Sequence, residues 1–335
     1  MKHFLGSLAF PLGLAGAIAA GLLFPEAGLG TSGLRFLGAP PRLLAVIGIF
    51  LVTGLLLEPA GLTKGKRFAA AAVAAVAVNL FCGPLLGGLL GRAFRPEEAV
   101  LAAFLVFSCA PTTLSSSAVI TRTAGGNVTW ALSFIILLSL VGIVVLPFSL
   151  AQTLARGGIS VDRWAILRNV FFLVMLPTGF GFALQKTLRR PRGKAWAHMP
   201  PALVVFIVWL SVSGARARLG AFTPGAAAGA AALAAGFHFC LLALAAAAAR
   251  ALRLDPREAR ALWFAGSQKS LPVTVSILLM LGAAEDSGKP IFDAATAAAV
   301  ILYFPQIVID SLAAAAARIR GGNGNKAVAE DGRLP

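Results

Sequence analysis

The chain has 335 residues, 58% of them hydrophobic and only 13% charged, about half the charged fraction of an ordinary soluble domain (~25%). A soluble core of that size would lack the polar surface to cover it, and the mean hydropathy of +0.85 points to a lipid solvent. The net charge of +16 does not imply nucleic-acid binding, because Lys and Arg fall in short clusters between apolar runs, as membrane-flanking anchors do.

Ten apolar runs bounded by Pro, Gly and charge clusters predict an all-α integral membrane protein with ten transmembrane helices, at about 8–24, 43–60, 68–91, 98–120, 128–154, 165–186, 200–214, 223–250, 258–282 and 290–317. The first follows Lys2 and resembles a secretory leader, with Ala17 and Ala19 near its end. It is predicted to be a retained helix, because a partner for it recurs later in the chain. The third carries Asn79 with Pro84 beyond it, and an amide in a lipid-embedded helix either bonds to a neighbouring helix or joins a site.

The fourth run contains a proline and a polar cluster, Ser108-Cys109-Ala110-Pro111-Thr112-Thr113-Leu114-Ser115-Ser116-Ser117, and Gly125-Gly126-Asn127 follows it. The eighth is Ala-rich and interrupted only by His238, which reads as a satisfied core histidine or a proton relay. The ninth contains Gly266-Ser267-Gln268-Lys269-Ser270-Leu271-Pro272. A proline withholds a backbone donor and clashes with the preceding turn, so both runs are predicted to break near the bilayer midplane and to free carbonyls there. Lys269 is the most informative residue, since a lysine at helix centre costs roughly 2.5–3.5 kcal/mol on insertion scales and must face protein or water. Glu58 and Asp310 lie near run ends and are placed at the interface, and nothing is drawn from Tyr303 or Trp130. Cys82, Cys109 and Cys240, an odd number inside apolar runs, are expected to be small buried hydrophobes rather than disulfide or zinc partners.

The halves repeat. Pro11, Gly13 and Ala17 recur as Pro177, Gly179 and Ala183; Phe81-Cys82 recurs as Phe239-Cys240; Pro96, Glu98, Ala99 and Phe104 recur as Pro256, Glu258, Ala259 and Phe264. The offsets are 166, 158 and 160 residues, so the chain divides into a five-helix unit, 1–160, and a second one, 161–318, with 319–335 as a disordered cytoplasmic tail. An odd number of crossings per unit inverts the second copy, the plan of many secondary transporters. In this alignment Cys109 corresponds to Lys269. Sorting the basic residues by alternate loops puts 18 on the side of the termini and 10 on the other, with Lys269 left over, which predicts both termini in the cytoplasm of a bacterial-type inner membrane.

The two polar motifs resemble those of the bile acid:sodium symporter family, especially its divergent branch containing the orphan seventh human member and bacterial relatives. The resemblance covers all ten runs. It implies a panel domain (runs 1, 2, 6 and 7), a core domain (runs 3, 4, 5, 8, 9 and 10), and crossing of the broken fourth and ninth helices. Sodium-coupled members resemble the chain at Gln268, but place a glutamate where it has Phe264, an asparagine where it has Lys269, and hydroxyls where it has Ala131 and Ile135. Sodium coupling of that type is therefore not expected. Lys269 is expected to serve as a fixed charge in place of the cation, or to load and release a proton.

The resulting expectation is a secondary transporter of a small organic anion that works by movement of the core against the panel. The substrate- or ion-binding candidates are Lys269, Gln268, Ser267, Ser270, Ser115, Ser116, Ser117, Thr112, Thr113, Asn79, Asn127 and His238. No cofactor or metal centre is implied, and the coupling ion is Na+ or H+. A cation/proton antiporter using Lys269 and a non-transporting regulatory membrane protein are the alternatives. An enzyme is not expected, because no intramembrane carboxylate pair, H-E-x-x-H spacing or nucleophile with a base is present.

Overall fold

The computed structural model describes residues 2–36, 38–56, 63–113, 116–157, 164, 168, 170–185, 194–219, 223–284 and 291–331. The described residues form helices and no β-strand: α1 (Lys2–Leu23), α2 (Pro25–Gly33), α3 (Pro41–Leu56), α4 (Lys66–Phe94), α5 (Glu98–Cys109), α6 (Ser116–Thr123), α7 (Val128–Arg156), α8 (Phe171–Leu184), α9 (Lys194–Leu219), α10 (Pro224–Ala251), α11 (Pro256–Ser267), α12 (Leu271–Ala284) and α13 (Ile291–Asp331). Among the described residues five stretches are long and apolar enough to cross a bilayer: Lys66–Phe94, Val128–Arg156, Pro224–Ala251, Pro256–Gly282 and Ala294–Arg318. A sixth is formed if α1 and α2, bent by 93° at Phe24, count together. Shorter apolar helices cover Pro41–Leu56, Glu98–Cys109, Phe171–Leu184 and His198–Gly214.

The helix starts follow local chemistry. Asn127 caps α7 by accepting from the Trp130 amide at 3.2 Å, Thr223 caps α10 through the Ala226 amide at 3.1 Å, and Asp255 with Glu258 forms a capping box on α11. The fourth and ninth runs break as their prolines predict. Ala110, before Pro111, is extended (ψ 141°), as is Gln268 (ψ 148°), and Pro272 then sits in the first turn of α12, where a missing amide costs least.

Two groups of helices result. In the first, α1 packs on α9 and α8 on α3. Glycine permits the closest approach: a Cβ at Gly54 would lie 2.1 Å from the Thr178 carbonyl oxygen, and one at Gly181 would lie 2.1 Å from that of Leu51, the small-residue contact by which helices associate in lipid. In the second, α10 packs on α13, α13 on α5, α11 on α7 and α7 on α4. Edge-on contact of Phe104 with Phe237, and stacking of Phe68 on Phe134, fill its interior. The groups meet where α9 and α3 touch α12 and α13. Of the cysteines only Cys109 is buried; contrary to the expectation of buried hydrophobes, Cys82 is half-buried and Cys240 is exposed, on a face of α10 that no described helix covers.

Candidate functional site

The two breaks lie against each other. The Ser270 amide donates to the Pro111 carbonyl at 2.9 Å, and the side chain of Gln268 reaches across to α6, where its Oε1 accepts from the hydroxyls of Ser116 (2.8 Å) and Ser117 (2.7 Å). Thr112 bonds to Ser117 at 3.1 Å, and Thr113 bonds to Ser116. The predicted hydroxyl cluster and the glutamine motif are thus one network. Ser115 lies outside the described residues.

Missing proline amides explain how α4 joins it. The turn Ala77–Cys82 is wound as a π-helix, in which the Gly83 amide bonds to Val78; the same register would pair the Asn79 carbonyl with residue 84, a proline. That carbonyl instead accepts from the Lys269 ammonium at 2.6 Å, with the Asn79 side-chain oxygen at 3.4 Å. Conversely, Pro272 cannot supply a donor to the Gln268 carbonyl four residues back, and the Asn79 amide does so at 2.9 Å while also donating to the Gly266 carbonyl at 3.1 Å. Lys269 is completely buried. Its ammonium lies against Gly83, where a Cβ would be 2.5 Å away, so it points toward α4. Gln306 of α13 holds the lysine backbone on both sides, accepting from its amide at 3.0 Å and donating to its carbonyl at 2.9 Å.

One residue must be reassigned. Asp310, expected at the interface from its place near a run end, is fully buried; its Oδ2 accepts from Gln268 Nε2 at 2.6 Å and its Oδ1 from His238 Nε2 at 2.8 Å. It was missed because run ends are uncertain by a turn and the helix continues well beyond it. The available signal was the spacing of Tyr303, Gln306 and Asp310, an i, i+3, i+7 stripe of polar groups in an otherwise apolar run. His238 is thereby a bonded partner, with its Nδ1 buried and unpartnered. Ser267 is buried with its hydroxyl unpartnered. Asn127 stays apart as the cap of α7, its own amide donating to the Arg257 carbonyl at 2.8 Å.

A cavity of about 450 Å³ opens beside the breaks, between the two helix groups. Pro111, Thr112, Thr113, Ser270, Pro272 and Val273 form one wall, α7 and Tyr303 another, and α3, α8 and the Pro200-Pro201 pair of α9 the third. Its polar side chains are hydroxyls and its remaining surface is aliphatic and aromatic; no charged side chain lines it among the described residues. Phe264, Ala131 and Ile135 are buried. No cluster of His, Cys, Asp or Glu suited to a metal is found among the described residues.

The sequence pattern of the SBF-like CPA transporter family (DUF4137) matches residues 9–316. The chain belongs to this family. The resemblance to the bile acid:sodium symporters drawn from the two motifs is borne out, and the chain is a multi-pass membrane protein rather than an enzyme. Among curated proteins it is similar to one from rice (Oryza sativa subsp. indica) named "Probable sodium/metabolite cotransporter BASS4, chloroplastic", 30% identical over 287 residues. That match covers 80% of this chain and 66% of the rice protein, just under two thirds of its length. A protein of the same name from Arabidopsis thaliana is 24% identical over 317 residues, 90% of this chain and 70% of that protein.

Proposed function

We propose that this family member is a secondary transporter of a small organic anion, carried in the cavity between the two helix groups. The observation that carries the reading is the place of that cavity: one wall is the pair of breaks, and the facing wall belongs to α3, α8 and α9. A shift of one group against the other would carry the bound solute with the breaks, an elevator-like form of alternating access. The hydroxyls offer donors to an anionic head, and the aliphatic surface suits a short apolar body.

Ten spans in two inverted five-helix units underlie this mechanism. Pairing supports it: run 1 packs on 7 as run 6 does on 2, run 10 on 8 as run 5 on 3, and run 4 on 10 as run 9 on 5. The charge distribution supports cytoplasmic termini in an inner membrane. Lys269 acts as a fixed internal cation holding α4 to the break, since its ammonium is turned from the cavity. The plant relatives are named for sodium; in this chain the apolar Phe264, Ala131 and Ile135 favour a carrier that does not depend on it.

The test is a stabilisation screen of purified protein against acetate, butyrate, octanoate, benzoate and dicarboxylates, followed by uptake into liposomes. A true ligand at a hundred times its Kd adds about 2.7 kcal/mol of stability. Stabilisation by a carboxylate but not by its amide supports the reading; stabilisation only by inorganic cations, with proton release, would replace it with a cation/proton antiporter.

A further inference from the structure

The buried acid and imidazole behind the breaks have no part in the transport reading so far, yet they are joined to the cavity wall. A continuous chain of hydrogen bonds runs His238 Nε2 to Asp310 Oδ1 (2.8 Å), Asp310 Oδ2 to Gln268 Nε2 (2.6 Å), Gln268 Oε1 to Ser117 Oγ (2.7 Å) and Ser117 Oγ to Thr112 Oγ1 (3.1 Å). Thr112 faces the cavity. We infer that Asp310 is a proton-binding site whose occupancy sets the direction of this chain, so that a proton and an organic anion bind together.

Donor and acceptor accounting gives the mechanism. With Asp310 ionised, its carboxylate only accepts, from His238 Nε2–H and from the Gln268 amide. Gln268 must then present Oε1 to α6, and the hydroxyls of Ser116 and Ser117 each spend their single hydrogen on it. Thr112 is left to donate to Ser117, so its hydrogen points away from the cavity.

A proton added to Asp310 Oδ2 turns that oxygen into a donor facing a donor. Rotation of the Gln268 amide by a half turn removes the conflict: Oε1 accepts from the carboxylic acid and Nε2 donates to Ser116 and Ser117. Ser117 then turns its hydrogen to Thr112 Oγ1 at 3.1 Å, nearer than the alternative Phe264 carbonyl at 3.5 Å. The hydroxyl hydrogen of Thr112 is released into the cavity, and that of Thr113 follows through Ser116. Both states keep every link from His238 Nε2 to Thr112 hydrogen-bonded, but only the protonated one offers the cavity extra donors, which an acceptor-only anion uses.

The carboxylate is favoured over the imidazole as the proton's seat. An imidazolium would bury an Nδ1–H with no acceptor, whereas neutral His238 leaves only a lone pair there. Few other titratable groups adjoin. From the elements packed on α13 come His238 of α10, Cys109 of α5 and Lys269 of the break, with its ammonium on the α4 side; α13 itself adds Tyr303. Arg122 of α6, His198 of α9, Cys240 of α10 and Arg318 of α13 are exposed, and α12 has no titratable side chain among its described residues.

The inference rests on the transport reading for its anion but not for its proton, and the experiment separates the two. Infrared difference spectra of the full chain in phosphatidylcholine vesicles are recorded as pH is lowered, for the wild type, Asp310→Asn, His238→Gln and Ser117→Ala. A carboxylic C=O band should grow in the wild type, vanish in Asp310→Asn, shift in His238→Gln and persist in Ser117→Ala. Titrating carboxyl bands that are identical in the wild type and Asp310→Asn overturn the proton site, whatever the protein transports. In the second arm, thermal stabilisation by octanoate should strengthen as pH falls in the wild type and lose part of that pH dependence in Ser117→Ala, where only the Ser116–Thr113 branch remains. Equal pH dependence in both overturns the coupling. Absence of stabilisation by any carboxylate in the screen, with the Asp310 band intact, refutes the organic-anion reading and with it the coupling, and leaves the proton site standing.

Discussion

Replacing Lys269 by Met tests whether its charge serves stability or substrate. The substitution leaves the Asn79 carbonyl without a partner, at about 1–3 kcal/mol for a buried acceptor. It also removes a buried ammonium, worth roughly 2.5–3.5 kcal/mol at a helix centre, and Met keeps the volume packed on Gly83. The two nearly cancel, so the thermal midpoint of the purified variant should match or exceed the wild type. The anion loses a cation about 10 Å away, taking one peptide step from Ser270 and an extended side chain; at an effective dielectric constant near 20 this is about 1.7 kcal/mol, or ~10–20-fold in affinity. The assay pairs scanning fluorimetry with anion binding. Loss of folding in the Met variant, or unchanged affinity with normal folding, would refute the reasoning. Arginine is not a conservative replacement, because Gly83 and the Ser108 carbonyl, 2.9 Å from a Cβ placed on that glycine, leave no room for a guanidinium.

Gly83→Ala places that Cβ 2.5 Å from the Lys269 ammonium; overpacking of about 1–3 kcal/mol should exceed the ~1 kcal/mol helix gain and lower the thermal midpoint while Gly88→Ala, with nothing within 4 Å, raises or preserves it. Uptake of an identified anion should change little when choline replaces sodium at constant pH, and a strict sodium requirement would mean that the hydroxyls and carbonyls of the breaks form a cage unlike the one sought at Phe264, Ala131 and Ile135. Reporter fusions after Arg320 should locate the tail in the cytoplasm; an extracytoplasmic tail would show the number of spans to be odd.

The features legible in sequence were those with strong local causes. Pro111 and Pro272 announce the breaks because a missing amide acts on its own turn, and Lys269 stands out because its surroundings are apolar. The pairing of Ser116 and Ser117 with Gln268 follows once two breaks are brought together, although sequence alone does not say which atoms meet. Asp310 was lost for the opposite reason: its role depends on His238 and Gln268, 72 and 42 residues away, and an acid near a run end looks interfacial whenever the helix is taken to stop there. The direction of Lys269 was equally hidden, since the acceptor is a carbonyl freed by Pro84 in another helix. The cavity is lined by hydroxyls that one at a time resemble ordinary helix back-bonding, as Ser139 in fact does toward Ile135 at 2.8 Å.

In the two-unit scaffold proposed above the polar groups do not repeat, and this asymmetry yields a last prediction. α7 presents Ile135, Leu138 and Gly142 in the same i, i+3, i+7 spacing by which α13 presents Tyr303, Gln306 and Asp310. Cys109 stands where the second unit has Lys269. On the readings proposed above, proton binding is confined to the second unit, where the described residues bury one carboxylate, Asp310, and one ammonium, Lys269. In the empty carrier Lys269 and Asp310 offset each other; a monovalent anion entering with one proton on Asp310 leaves that balance unchanged. Transport should therefore be electroneutral. With an inward proton gradient, clamping the membrane potential of liposomes with potassium and valinomycin should leave the initial rate of monocarboxylate uptake unaltered, whereas collapsing the pH gradient should reduce it sharply. A rate that follows the potential at constant pH gradient would require a second coupling ion or a neutral Lys269, and would remove the one-proton account.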